Sequence, residues 1–95
     1  MNTTVWKFVL KPIGIQTIQL PKDSRILHVA QQYNEVYLWA MFTYEDHEDE
    51  IEYQPRRIRI YGTCDDIPGI TSQEHIATVI LNEGDLVLHV FEVLK

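Results

Sequence analysis

Seven short runs of this chain are apolar on alternate residues or apolar throughout, and turn-forming residues separate each run from the next. A period of two is the mark of β-strands, and no helical period of 3.6 is sustained here over ten residues or more. TVWKFVL (4–10) sets Trp6, Phe8 and Leu10 on one side. KPIG (11–14) breaks the pattern, and IQTIQL (15–20), the turn-forming PKDS (21–24), RILHVAQ (25–31) and EVYLWAMF (35–42) follow. RRIRIY (56–61), HIATVIL (75–81) and LVLHVFEV (86–93) complete the set, the last two joined by the hairpin sequence NEGD. TSQE (71–74) fits a capping box from Thr71 to Glu74 and predicts a single helical turn. The expected fold is all-β and mainly antiparallel, about seven short strands in a small sandwich or barrel with at most one short helical turn.

Length limits what such a fold can bury. Residues 1–95 are expected to form a single β-rich domain whose core is small, so oligomerisation would help it. EVYLWAMF is apolar on both faces and is expected to be central; LVLHVFEV is likewise apolar on both faces, and one face of such strands is expected to join copies into a homo-oligomer. The single cysteine, Cys64, excludes an internal disulfide and fits a reducing cytosol. MNTTVWKFVLKPIG lacks the basic-then-apolar layout of a signal peptide, and no apolar run approaches the ~18–20 residues that span a bilayer, so no membrane partner is expected. Eight Lys and Arg against fourteen Asp and Glu leave a net charge of −6, which disfavours nucleic-acid binding. A few arginines on an acidic protein can still form a local seat for a small anion.

Several constellations point to no chemistry. EDHEDE (45–50) offers carboxylates and His47 but neither the glycine of an EF-hand loop nor the spacing of HExxH, so 45–52 is expected to be a solvated hairpin tip. His28 and His89 lie within apolar strands and read as core or interface residues, with no metal site expected. Cys64 is followed by Asp65 and Asp66, and neighbouring carboxylates disfavour a reactive thiolate. No catalytic residue, enzymatic activity or cofactor is expected.

The arginine strand stands out. RRIR (56–59) gathers three of the eight basic residues within four positions. Alternation sets Arg57, Arg59 and Tyr61 on one face and Ile58 and Ile60 on the other. Guanidinium forks bind phosphate, the Gly62-Thr63 corner adds backbone N–H groups and a hydroxyl, and Tyr37 and Trp39 supply aromatic faces for stacking. The expected ligand site is therefore Arg57, Arg59, Tyr61, Gly62, Thr63, Tyr37 and Trp39. Pairing of the arginines with the acidic loop or with Glu35 is the competing reading.

VWKFVL, RILHV, LWA, the R-x-R-I-Y-G-T corner, HIATV and LVLHVFE together resemble a family of small domains of unknown function common in tailed-phage genomes. Members commonly read G-T-G-H-P-I where this chain has Gly62-Thr63-Cys64-Asp65-Asp66-Ile67. The resemblance implies a bacteriophage protein acting in the host bacterial cytoplasm. The expected role is non-enzymatic: binding and sequestering a phosphate-bearing nucleotide immune signal. The alternative is a protein–protein module that inhibits a host factor through the acidic loop at 45–52.

Overall fold

The computed structural model describes residues 1–45 and 51–94. Each apolar run becomes a strand: β1 (Asn2–Leu10), β2 (Gly14–Pro21), β3 (Arg25–Gln32), β4 (Glu35–Tyr44), β5 (Tyr53–Gly62), β6 (Gln73–Leu81) and β7 (Leu86–Val93). They pair antiparallel into two sheets, one ordered β1-β4-β3 and the other β2-β5-β7-β6. The Cα envelope is 16 Å across its thinnest direction, which accommodates two layers about 10 Å apart. The result is a small sandwich rather than a closed barrel.

Alternation explains why the layers hold. On β4, Val36, Leu38, Ala40 and Phe42 are buried while Tyr37, Trp39 and Met41 turn to the outer face. Ile58 and Ile60 of β5 and Val90 of β7 meet Val29 and Leu38 of the other sheet in one core cluster. Each such side chain contributes about 1.5–3 kcal/mol on leaving water. β4 and β7 are each flanked by two strands, as their apolar character on both faces requires.

The hairpins are short and use left-handed backbone. Tyr33 and Asn34, with φ of 53° and 61°, form the two-residue turn between β3 and β4, matching the twist of the strands it joins. Asn34 also reaches the β6–β7 loop: its Nδ2 donates to Asn82 Oδ1 and its Oδ1 accepts the Asn82 N–H, both at 2.8 Å. This exchange ties a hairpin of one sheet to a hairpin of the other.

Three expectations are corrected. β4 and β5, the strands on either side of the acidic stretch at 45–52, belong to different sheets and do not pair as a hairpin. The rest of EDHEDE after Glu45, including His47, lies outside the described residues. The capping box does not form: a 3-10 turn at Ile70–Ser72 follows Gly69 at φ 67° with no side-chain cap, and Glu74 is drawn into β6 opposite Glu92. A second 3-10 turn, Asn82–Gly84, is the hairpin loop itself. Finally, His28 is exposed and so is not a core residue: it alternates with the buried Val29 and stands opposite the outward Trp39, next to a bulge in β3 between Ile26 and His28.

A candidate anion site on the outer face of the four-stranded sheet

The three arginines part company. Arg56 shares the inward side of β5 with Ile58 and Ile60, at the end of the sandwich. Its Nε and Nη2 grip the two carboxylate oxygens of Glu92 on β7, the second bond at 2.9 Å, and its Nη1 donates to the Ser24 carbonyl at 2.9 Å. The side chains of Arg56 and Glu92 are only 19% and 13% exposed. The Glu92 hydrogen bonds hold the Arg56 guanidinium above its ordinary pKa, outweighing the opposing effect of burial. Arg56 is therefore a structural tie and takes no part in the candidate site.

Arg57, Arg59 and Tyr61 turn to the outer face. In register across the sheet, Arg57 stands opposite Thr17 and Val93, and Arg59 opposite Ile15 and Phe91. The Arg59 guanidinium lies over the Tyr61 ring, 5.2 Å from its centroid, and Tyr61 meets Phe91 edge-on at 5.5 Å. Tyr61 is 4% exposed and donates its hydroxyl to Gln73 Oε1 at 2.8 Å. The ring is thus a platform beneath Arg59 rather than an open stacking surface.

The Gly62-Thr63 corner divides between the two faces. Gly62 continues the inward series of Ile58 and Ile60, and its N–H donates to Asp65 Oδ2 at 2.7 Å. A Cβ at Gly62 would sit 3.3 Å from that oxygen, so glycine leaves the room that Asp65 occupies. A cleft of about 590 Å³ at this end of the sandwich is lined by Pro12, Ile13, Arg59, Asp65 and Asp66 among others. Its carboxylates disfavour a further anion there, which leaves the outer face as the open approach to Arg59.

Thr63 belongs to that outer face and opens a chain of hydrogen bonds. Its Oγ1 lies 2.9 Å from His89 Nε2, His89 Nδ1 lies 3.1 Å from Thr78 Oγ1, and Thr78 Oγ1 lies 3.2 Å from His75 Nε2. The His75 ring also meets Phe91 edge-on at 5.1 Å. His75, Thr78, His89 and Phe91 were absent from the expected site. One signal was available: counting back from the NEGD loop pairs Thr78 with His89. Nothing local announces the β5–β7 pairing that brings Thr63 to the same imidazole.

Tyr37 and Trp39 are not part of this face. They lie on the outer side of the three-stranded sheet, with the core between them and the arginines. Their rings are 6.2 Å apart, Lys7 Nζ sits 4.5 Å over Tyr37, and the Tyr37 hydroxyl donates to Glu35 at 3.0 Å. Glu35 is therefore engaged on the far side of the sandwich. Among the described residues no group of three or more His, Cys, Asp or Glu is placed to hold a metal ion, and no helix is long and apolar enough to cross a membrane.

The family profile for a domain of unknown function (DUF7352) matches residues 1–95. The chain belongs to that family. No curated protein and no solved structure matches it. Within this DUF7352 domain, Cys64 has a φ of 75°, the left-handed region that glycine enters most readily. The corner's backbone thus demands what glycine supplies, although a cysteine stands there.

Proposed function

We propose that this DUF7352 domain is a non-enzymatic binding protein that holds a phosphate-bearing nucleotide on the outer face of its four-stranded sheet. One observation carries the reading: Arg59 is partly exposed, braced on Tyr61, and directed to the same face as Arg57, Thr63 and two histidines. Alternate residues on a strand are about 6.5–7 Å apart, so two guanidinium groups can hold neighbouring phosphates of one ligand. Thr63 and His89 have the spacing of a nucleophile and its base. The group orienting His89 is a threonine hydroxyl rather than a carboxylate, which favours holding a ligand over cleaving it. The likeness to small tailed-phage domains supports a bacteriophage origin and a place in the host bacterial cytoplasm. There, sequestering a nucleotide immune signal would blunt a defence system.

A homo-oligomer is part of the proposal. Val5 and Val9 are 45% and 60% exposed beside Tyr37 and Trp39, so the three-stranded sheet presents an apolar outer face. The same face also suits a module that docks on a host protein, by a surface other than the acidic loop at 45–52.

The test is mass spectrometry of small molecules released on denaturing the protein from phage-infected cells. An intact phosphate-bearing nucleotide with the wild type, and none with Arg59→Ala, is the expected result. A cleaved nucleotide would indicate an enzyme, and a co-purifying host protein without nucleotide would favour a docking module.

A further inference from the structure

We infer that Thr63, His89, Thr78 and His75 form a second anion seat for the same ligand, one that takes up a proton as the ligand binds. This rests on the nucleotide-binding reading above and names the ligand class: a molecule with two separated phosphate groups.

The geometry comes from sheet register. Arg59, Phe91 and His75 stand side by side on β5, β7 and β6. Two strand spacings of ~4.8 Å put the backbones of Arg59 and His75 about 10 Å apart. Tyr61, His89 and Thr78 form the next row. A guanidinium end and an imidazole end therefore flank the covered Phe91, and a ligand with one phosphate engages only one of them.

The proton count supplies the rest. Three hydrogen bonds link the four side chains, and each needs one hydrogen. With both imidazoles neutral, the four side chains carry four such hydrogens, so one is left after the three bonds and at most one end of the chain donates outward; where both rings donate to Thr78 Oγ1, neither end does. If all the bonds run toward Thr63, its hydroxyl is the outward donor and His75 Nδ1 is an acceptor. If they run the other way, His75 Nδ1–H is the outward donor and the Thr63 hydroxyl is used internally. One added proton on either ring changes this: every bond is kept and both ends donate outward. An anion resting on the chain therefore favours the protonated state, and by linkage that state favours the anion.

Among the described residues, few other charges face His89. Arg59 and Tyr61 approach from β5, and Thr78 and His75 from β6, with Asp65 and Asp66 in the turn beyond Thr63. Asp65 is turned to the Gly62 N–H. His75 also lines a cleft with Arg25, Arg56, Glu74 and Glu92, of which Arg56 and Glu92 are paired with each other.

Titration calorimetry with cyclic di-AMP tests the inference, with adenylyl-adenosine, which has a single phosphodiester, as the comparison. Phosphodiesters keep their charge between pH 6 and 8, so any pH dependence belongs to the protein. Cyclic di-AMP should bind roughly tenfold more tightly near pH 6 than near pH 8, with buffer-dependent heat reporting proton uptake. The comparison probe should bind more weakly. His75→Gln and the exposed-turn variant Thr63→Val should flatten the pH dependence, while Arg59→Ala should weaken binding at both pH values and leave the slope. Wild-type binding that is sensitive to Arg59→Ala but equal at both pH values would overturn the second seat and leave the arginine reading standing. A pH-dependent affinity unchanged by Arg59→Ala would do the reverse. No binding of either probe at either pH would overturn both.

Discussion

The Asp65 carboxylate accepts the Gly62 N–H at 2.7 Å, and the Asp65 N–H returns a bond to the Gly62 carbonyl at 3.2 Å. The corner after the arginine strand therefore already holds an anion, supplied by the chain itself. Asp65→Ala should cost about 1–2 kcal/mol in urea unfolding, the usual scale for a donor left without its acceptor. Asp65→Asn keeps an acceptor oxygen and should lose less. An Asp65→Ala protein as stable as the wild type would show that the corner is held by backbone turn geometry alone.

Arg56 and Arg59 should separate cleanly by stability. Removing one partner of a buried ion pair costs ~3–5 kcal/mol, and the residual exposure of Arg56 and Glu92 lowers the expectation to about 2–3 kcal/mol for Arg56→Ala. Arg59→Ala should change stability by about 0.5 kcal/mol, the scale of surface substitutions, plus a few tenths for its contact with Tyr61. Because the Arg56 pKa is raised in the folded state, its contribution is present below the unfolded value and lost only as pH rises through the folded value. Ordinary buffers should not titrate it. Equal losses for the two variants would refute the division of the arginines between faces.

Tyr37 offers an alkaline signature. Its hydrogen bond to Glu35 holds the phenol above its ordinary pKa of 10.0, with smaller contributions from burial and from the negative charge on Glu35. A raised phenol pKa favours the neutral folded form, so this contribution is present below pH 10 and fades as pH climbs through the folded value. The phenolate absorbance lost in Tyr37→Phe should be a late-titrating component, and Glu35→Gln should move that component to lower pH. An unchanged titration in Glu35→Gln would remove the assigned cause.

Cys64→Gly should be neutral to stabilising by up to about 1 kcal/mol. It relieves the left-handed strain at φ 75°, partly offset by the greater freedom of glycine in the unfolded chain. Thermal unfolding under reducing conditions measures it, and a clear loss would mean that the Cys64 side chain itself holds the turn.

Local pattern carried much of the fold. Alternation alone placed Arg57, Arg59 and Tyr61 opposite Ile58 and Ile60, because inward and outward faces follow directly from a period of two, and apolar residues on both faces marked β4 as central. Sheet membership did not follow. β4 and β5 are consecutive in sequence, yet they belong to different sheets, so Tyr37 and Trp39 look away from the arginines. Such choices rest on distant pairings rather than local propensity, which also explains why Thr63 and His89 could not be joined in advance. Arg56 was separable from its neighbours by alternation, but its partner Glu92 lies thirty-six residues away and becomes visible only once β5 and β7 pair.

The arginine seat is tested most directly by titrating wild type, Arg59→Ala and Arg59→Lys with a panel of cyclic dinucleotides and ADP-ribose derivatives. Binding of at least one member is expected. Arg59→Ala should weaken it by about 1.5–3 kcal/mol, the scale of a charge-assisted hydrogen bond and roughly ten- to a hundred-and-fifty-fold in affinity. Arg59→Lys should recover only part, because an ammonium cannot fork across two oxygens. Equal affinity for all three proteins, or no heat with any member of the panel, would contradict the seat.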